Sequence, residues 1–204
     1  MRDAFQTGVA ADREGRNAFL RLNLAYALSA LGEHDAAFAA YQAGMDILKA
    51  ETRISRTLRA GMHFNKGEYA QAEVLTRRNL ADKANIRPNE YHALARTLDV
   101  MNRTDEALEI LRVGRAQFPQ YCNLYDRAGE FLLKRGRIAE ALAEWERGIA
   151  AIPKCDANYV SLAKALIEQK RFSEARKKLE TLQNVSPDSD GAEEAKELLK
   201  TLGS

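Results

Sequence analysis

Two cysteines, four prolines and one tryptophan in 204 residues are few, and each scarcity excludes something. Cys122 and Cys155 cannot build the disulfide framework of a small secreted domain, so a cytoplasmic location is the default. Few prolines and 7% aromatic residues argue against a β-sandwich or barrel. Excess charge of one sign is missing too. The 31 basic and 29 acidic residues leave a net charge of +2, which gives neither nucleic acid nor an anionic membrane a reason to bind. No apolar run approaches the roughly 18 residues of a membrane-spanning helix. The opening MRDAFQTGVAADREGR carries charges throughout and no apolar centre, unlike a secretory signal. His34, His63 and His92 have no His, Cys or carboxylate at a metal-ligand spacing. There is no phosphate-binding P-loop, no GxGxxG, no GxSxG and no HExxH. The expectation is a protein without catalytic residues, cofactor or metal.

What is present is a period. Ala37, Ala72, Ala107, Ala141 and Ala175 follow one another at 35, 35, 34 and 34 residues. Twelve residues before each stands another small residue: Ala25, Ala60, Ala95, Gly129 and Ala163. A turn lies between the two, as in LGEHDAA, KGEYAQA and RGRIAEA, and Pro119, Pro153 and Pro187 close the last three units. Each half-unit places apolar residues three and four apart, which is a helix signal. Tyr125, Ala128, Leu132 and Leu133 mark one such helix, and Ala141, Leu142, Trp145 and Ile149 the next. Gly136 ends the first by adopting positive φ, and Pro153 stops the second. The small residues let two backbones approach, and the ring of Trp145 fills the space beside that contact, between the fourth and fifth units.

A helix–turn–helix unit of about 34 residues with this pattern resembles the tetratricopeptide repeat, or TPR. The resemblance implies an all-α, right-handed α-solenoid. Its units would span 18–51, 53–86, 88–121, 122–155 and 156–189. A capping helix would follow over 190–203, in DSDGAEEAKELLKTLGS. Before the first unit, Phe5 and Gly8 repeat the ring-x-x-glycine of Tyr41 to Gly44, so 3–12 reads as a lone second helix, as in a fragment of a longer protein or a chain with an added methionine. The second unit departs most from the pattern, with Arg59 and His63 at apolar positions and Thr76 in place of a large residue, and is expected to be the least stable. If stacked units keep equivalent Cα atoms about 10 Å apart, Cys122 and Cys155 are free thiols.

The resemblance also implies a function: binding of another protein, as scaffold or adaptor, in a concave groove lined by the first helices. Groove positions lie six and three before, and one and four after, the small residue of each first helix. They name Phe19, Leu22 and Tyr26, then Ile54 and Phe64, then Asn89, His92 and Arg96, then Asn123, Asp126 and Glu130 as partner-binding residues. The N-terminal end of that groove is apolar. It either covers parts of the protein outside this chain or takes apolar side chains of a peptide. The lysine–asparagine pair of chaperone-adaptor carboxylate clamps has no counterpart, so that partner class is disfavoured. A recruiting or regulatory region of a larger enzyme or assembly machine is the alternative, and RNA binding is disfavoured by the charge balance.

Overall fold

The computed structural model describes residues 6–7, 17–82 and 86–203. Most of the expected lone helix 3–12 lies outside them. The described residues form helices and no strand, as the all-α reading expects. Two compact units divide the chain at Arg103/Thr104. The first holds α1 (Ala18–Ala30), α2 (His34–Leu48), α3 (Arg53–Asn65), α4 (Tyr69–Ala81) and α5 (Pro88–Val100). The second holds α6 (Thr104–Gln117), α7 (Asn123–Lys134), α8 (Ile138–Ala151), α9 (Asp156–Glu168), α10 (Phe172–Val185) and α11 (Asp190–Gly203). α1, α3, α5, α7 and α9 are the first helices of the successive repeats.

Local chemistry sets where these helices begin and end. The Asn17 side chain accepts the Leu20 N–H at the start of α1, and Thr52 and Ser55 form a reciprocal capping box on α3. Pro88 opens α5, where its missing N–H costs nothing. Each first helix then closes with the same bond, from an N–H to the carbonyl five residues back: Glu33 to Leu28, Glu68 to His63, Arg103 to Leu98, Arg137 to Leu132 and Arg171 to Leu166, at 2.8–3.0 Å. That turn needs one left-handed residue. Gly32, Gly67 and Gly136 supply it at φ 81°, 83° and 72°, but Asn102 and Lys170 supply it at 62° and 59°. Lysine suffers a steric penalty there that glycine avoids. Lys170→Gly is therefore expected to raise stability by about 1 kcal/mol, read as a higher urea midpoint at unchanged slope; no gain would mean that the turn does not constrain this residue.

Both small-residue combs are buried. Ala37, Ala72, Ala107, Ala141 and Ala175 lose nearly all their accessible surface, as do Ala25, Ala95 and Ala163, with Ala60 only slightly more exposed. The fourth repeat gives the reason most plainly. Trp145 is 1% exposed and lies against Gly129, where an added methyl would stand 2.3 Å from the ring. Its indole N–H donates to both the backbone oxygen and the carboxylate of Asp126, each at 3.2 Å. The ring belongs to a core with Leu132, Ala141, Tyr159, Val160, Leu162 and Ala163, as the repeat pattern anticipates. Ala192 and Ala195 of α11 are fully buried, and Leu198, Leu199 and Leu202 pack on the same core. The Arg176 side chain donates to the Leu202 carbonyl at 2.7 Å.

The second repeat builds its interior from polar groups. On α3 and α4 the buried apolar residues are Ala60, Met62 and Ala72, while Ser55, Arg56, His63, Thr76 and Asn79 are buried beside them. Each polar group has a partner. Arg56 donates to Asn79 at 2.8 Å, Asn79 donates to Thr57 at 2.9 Å, and the Thr76 hydroxyl donates to the Ala72 carbonyl at 2.8 Å. His63 Nδ1 and Glu68 Oε2 are 2.6 Å apart. That bond, with Lys66 second, holds the Glu68 carboxyl below the usual carboxylate range. Arg59 is exposed rather than set in the core.

One expectation fails outright. Cys122 and Cys155 are not free thiols: they form a disulfide, with Cα atoms 6.0 Å apart. The 10 Å spacing is that of packed helix axes. These residues stand at the N-caps of α7 and α9, off those axes, where the two helix starts approach within bonding reach. The low cysteine count therefore no longer argues for a reducing compartment. Among the described residues, no helix is long and apolar enough to cross a membrane.

Candidate functional site

The first-helix face is built by angular position. An α-helix turns 100° per residue, so residues seven apart point within about 20° of each other, while a residue three further on is rotated about 60° away. In the first unit, Phe19 and Tyr26 are seven apart on α1, and both are exposed, at 56% and 48%. Ile54 occupies the position of Phe19 one repeat on and is 45% exposed, and Asn89 follows it, also exposed. The Tyr26 ring leans toward Gly61 of α3, where an added methyl would meet it at 3.5 Å. Phe64 is half-buried. The Arg96 guanidinium lies 3.8 Å from its ring centroid, and Tyr69 meets it edge-on at 5.3 Å. His92 is half-buried and Arg96 exposed. Phe19, Tyr26 and Ile54 thus give an apolar strip on α1 and α3, continued by a cation stacked on an aromatic ring.

Leu22 does not belong to that strip. It is 1% exposed and packs in the core with Ala25, Leu28, Ala37, Tyr41 and Met62. A methyl on Gly44 of α2 would come within 3.1 Å of it. Three residues on from Phe19, Leu22 is rotated into the α1–α2 contact. Leu22→Glu would bury a carboxylate there, so it cannot serve as a harmless probe of the face. Asp126 occupies the equivalent position on α7 and is likewise turned away from the exposed face. It is buried, holding the Trp145 N–H and accepting the Ser161 hydroxyl at 2.7 Å. Sequence reasoning misses this role. A signal for it exists: a single tryptophan in a core needs an acceptor for its N–H.

In the second unit Asn123 is exposed, and Glu130 is half-buried in an ion pair with Arg127. A cleft of about 310 Å³ lies between α9 and α11, bordered by Ala157, Val160 and Ser161 on one side and Gly191 and Glu194 on the other. Lys164 and Glu194 pair across it at 2.5 Å, and Asp156 accepts the Gly191 N–H at 3.1 Å. Charged residues border this cleft, unlike the strip in the first unit. A further cleft of about 330 Å³ lies between α3 and α4, where Val74 is exposed beside Ala70 and Leu75. Among the described residues, no cluster of His, Cys, Asp and Glu is placed to hold a metal ion.

A family model described as tetratricopeptide repeat matches residues 132–202. No curated protein matches the chain. Among solved structures, a tetratricopeptide repeat protein from Parabacteroides merdae superposes with a TM-score of 0.66 at 18% identity, over 100% of this chain and 77% of its own. YrrB, described as a TPR protein with an unusual peptide-binding site, superposes at 0.50 and 18% identity, over 97% of this chain and 100% of its own. The Cut9–Hcn1 hetero-tetramer of APC/C gives 0.60 at 16% identity, over 98% of this chain and 39% of the matched chain. Likenesses at these identities establish a fold.

Proposed function

From a chain of tetratricopeptide repeat fold, matched to that repeat over residues 132–202, we propose an adaptor whose first-helix face in residues 18–100 takes a peptide segment of a partner protein. The fold supports a protein-interaction scaffold in general, and YrrB, of the same fold, is described as having a peptide-binding site. The observation that carries the location is the exposure of Phe19, Tyr26 and Ile54, at positions where the packing of the helices asks for no apolar side chain. Apolar residues of the peptide would cover that strip, while Asn89 and Arg96 offer polar contacts. A recruiting region of a larger assembly is the second reading, favoured by the same fold within the Cut9–Hcn1 complex. It uses the same face.

Affinity capture with the intact chain identifies the partner, and the face is then tested on the purified pair. Each side chain of this size contributes about 1.5–3 kcal/mol when fully covered. Phe19→Glu combined with Ile54→Glu is expected to weaken binding at least about a hundredfold while leaving the melting temperature nearly unchanged. Val74→Glu, on the separate α3–α4 cleft, is expected to leave binding intact. The opposite pattern would move the site to that cleft. Binding to RNA with a steep salt dependence would replace the proposal altogether.

A further inference from the structure

The Cys122–Cys155 bridge has two unlike ends. Cys122 is partly exposed in the turn before α7, whereas Cys155 is 3% exposed at the N-cap of α9. Beside Cys155 sits Asn158, fully buried, whose Nδ2 lies 3.1 Å from the Cys155 sulfur. The Asn158 Oδ1 is buried too and has no hydrogen-bond partner. A buried amide with one unused acceptor costs this state stability, and so favours by comparison any state that satisfies it. The reduced bridge is such a state: after an amide flip, the Cys155 S–H donates to that oxygen.

We propose that this bridge is a thiol–disulfide exchange site, attacked at Cys122 by a small or protein dithiol and leaving from Cys155. The attacking thiolate forms a bond to the Cys122 sulfur, the only end it can reach. The Sγ122–Sγ155 bond breaks, and its electron pair departs on the Cys155 sulfur. There the α9 N-terminus and the Asn158 amide N–H stabilise the negative charge until a proton arrives. The second thiol of the dithiol then attacks its own mixed-disulfide sulfur and releases the Cys122 thiol. Two electrons and two protons pass from dithiol to protein, and the dithiol becomes a disulfide. Asp156 is the neighbouring negative charge, but its two oxygens are engaged by the Ala157 and Gly191 N–H groups. Opening the bridge unties the first turns of α7 and α9, beside the exposed Asn123.

The test uses the oxidised wild-type chain in native buffer with glutathione, a monothiol that must pass through a mixed disulfide, which a short reaction time traps. After brief exposure the reaction is quenched with acid, free thiols are alkylated in denaturant, and the adducts are mapped by mass spectrometry. The expected result is glutathione on Cys122 and the alkyl group on Cys155. Glutathione on Cys155, reaction only after denaturant is added, or alkylation of both cysteines in the untreated chain would each overturn the proposal. Asn158→Ala is expected to slow the exchange about tenfold through loss of the leaving-group donor, and an unchanged rate in the folded variant would overturn the role of Asn158. The wild-type mapping decides the point of attack whether or not that variant folds.

Discussion

Reducing the Cys122–Cys155 disulfide is expected to lower the stability of the second unit by about 3–4 kcal/mol. The bridge joins residues separated by 33 positions. In the chain-entropy description, closing a loop of that size removes this much freedom from the unfolded chain. The effect falls on the fourth and fifth repeats, because in a repeat array each unit contacts mainly its neighbours. Urea unfolding with and without a phosphine reductant checks it. The wild-type midpoint should fall on reduction, and the Cys122→Ser, Cys155→Ser double variant should match the reduced chain and ignore the reductant. A midpoint that does not move would mean that the helix starts of α7 and α9 are held by packing alone.

Trp145→Ala is expected to cost about 3–5 kcal/mol. The ring fills the space over Gly129 and supports Leu132, Tyr159 and Val160, so its loss leaves a cavity between α7, α8 and α9. It also removes the N–H that Asp126 accepts, leaving that buried carboxylate with the Ser161 hydroxyl alone among the bonds it makes here. Denaturant unfolding followed by circular dichroism measures the loss, and a cost under about 1 kcal/mol would contradict the packing described. Gly129→Ala supplies the coupling check. Its methyl should be strongly destabilising beside Trp145 and much less so in the Trp145→Ala background, because the three atoms nearest to it all belong to the ring.

These two residues also show what a sequence makes legible. Gly129 and Trp145 can be paired from the repeat pattern alone, because a close backbone approach demands a small residue, and the demand returns every 34 or 35 positions. The same logic finds the alanine combs and the glycine turns. It does not find Asn102 and Lys170, since the left-handed turn residue is visible in sequence only when it is glycine. Leu22 and Asp126 escape it because sharing a groove register is not sharing a face: a rotation of about 60° sends both into the hairpin. The disulfide escapes it because an axis-to-axis distance does not apply to residues at helix starts. The polar interior of α3 and α4 is visible as an anomaly in His63 and Thr76. Its resolution into the Arg56–Asn79–Thr57 network is not, because those partners lie 22 and 23 residues apart on different helices.

In the proposed function, the face carrying Phe19, Tyr26 and Ile54 meets a partner protein. Placing a photo-crosslinking side chain at Tyr26, and in a separate sample at Gln42, an exposed residue on α2, tests it directly with the captured partner. A crosslinked product is expected from position 26, mapping to one short segment of the partner, and none from position 42. Crosslinking from position 42 with none from position 26 would contradict it.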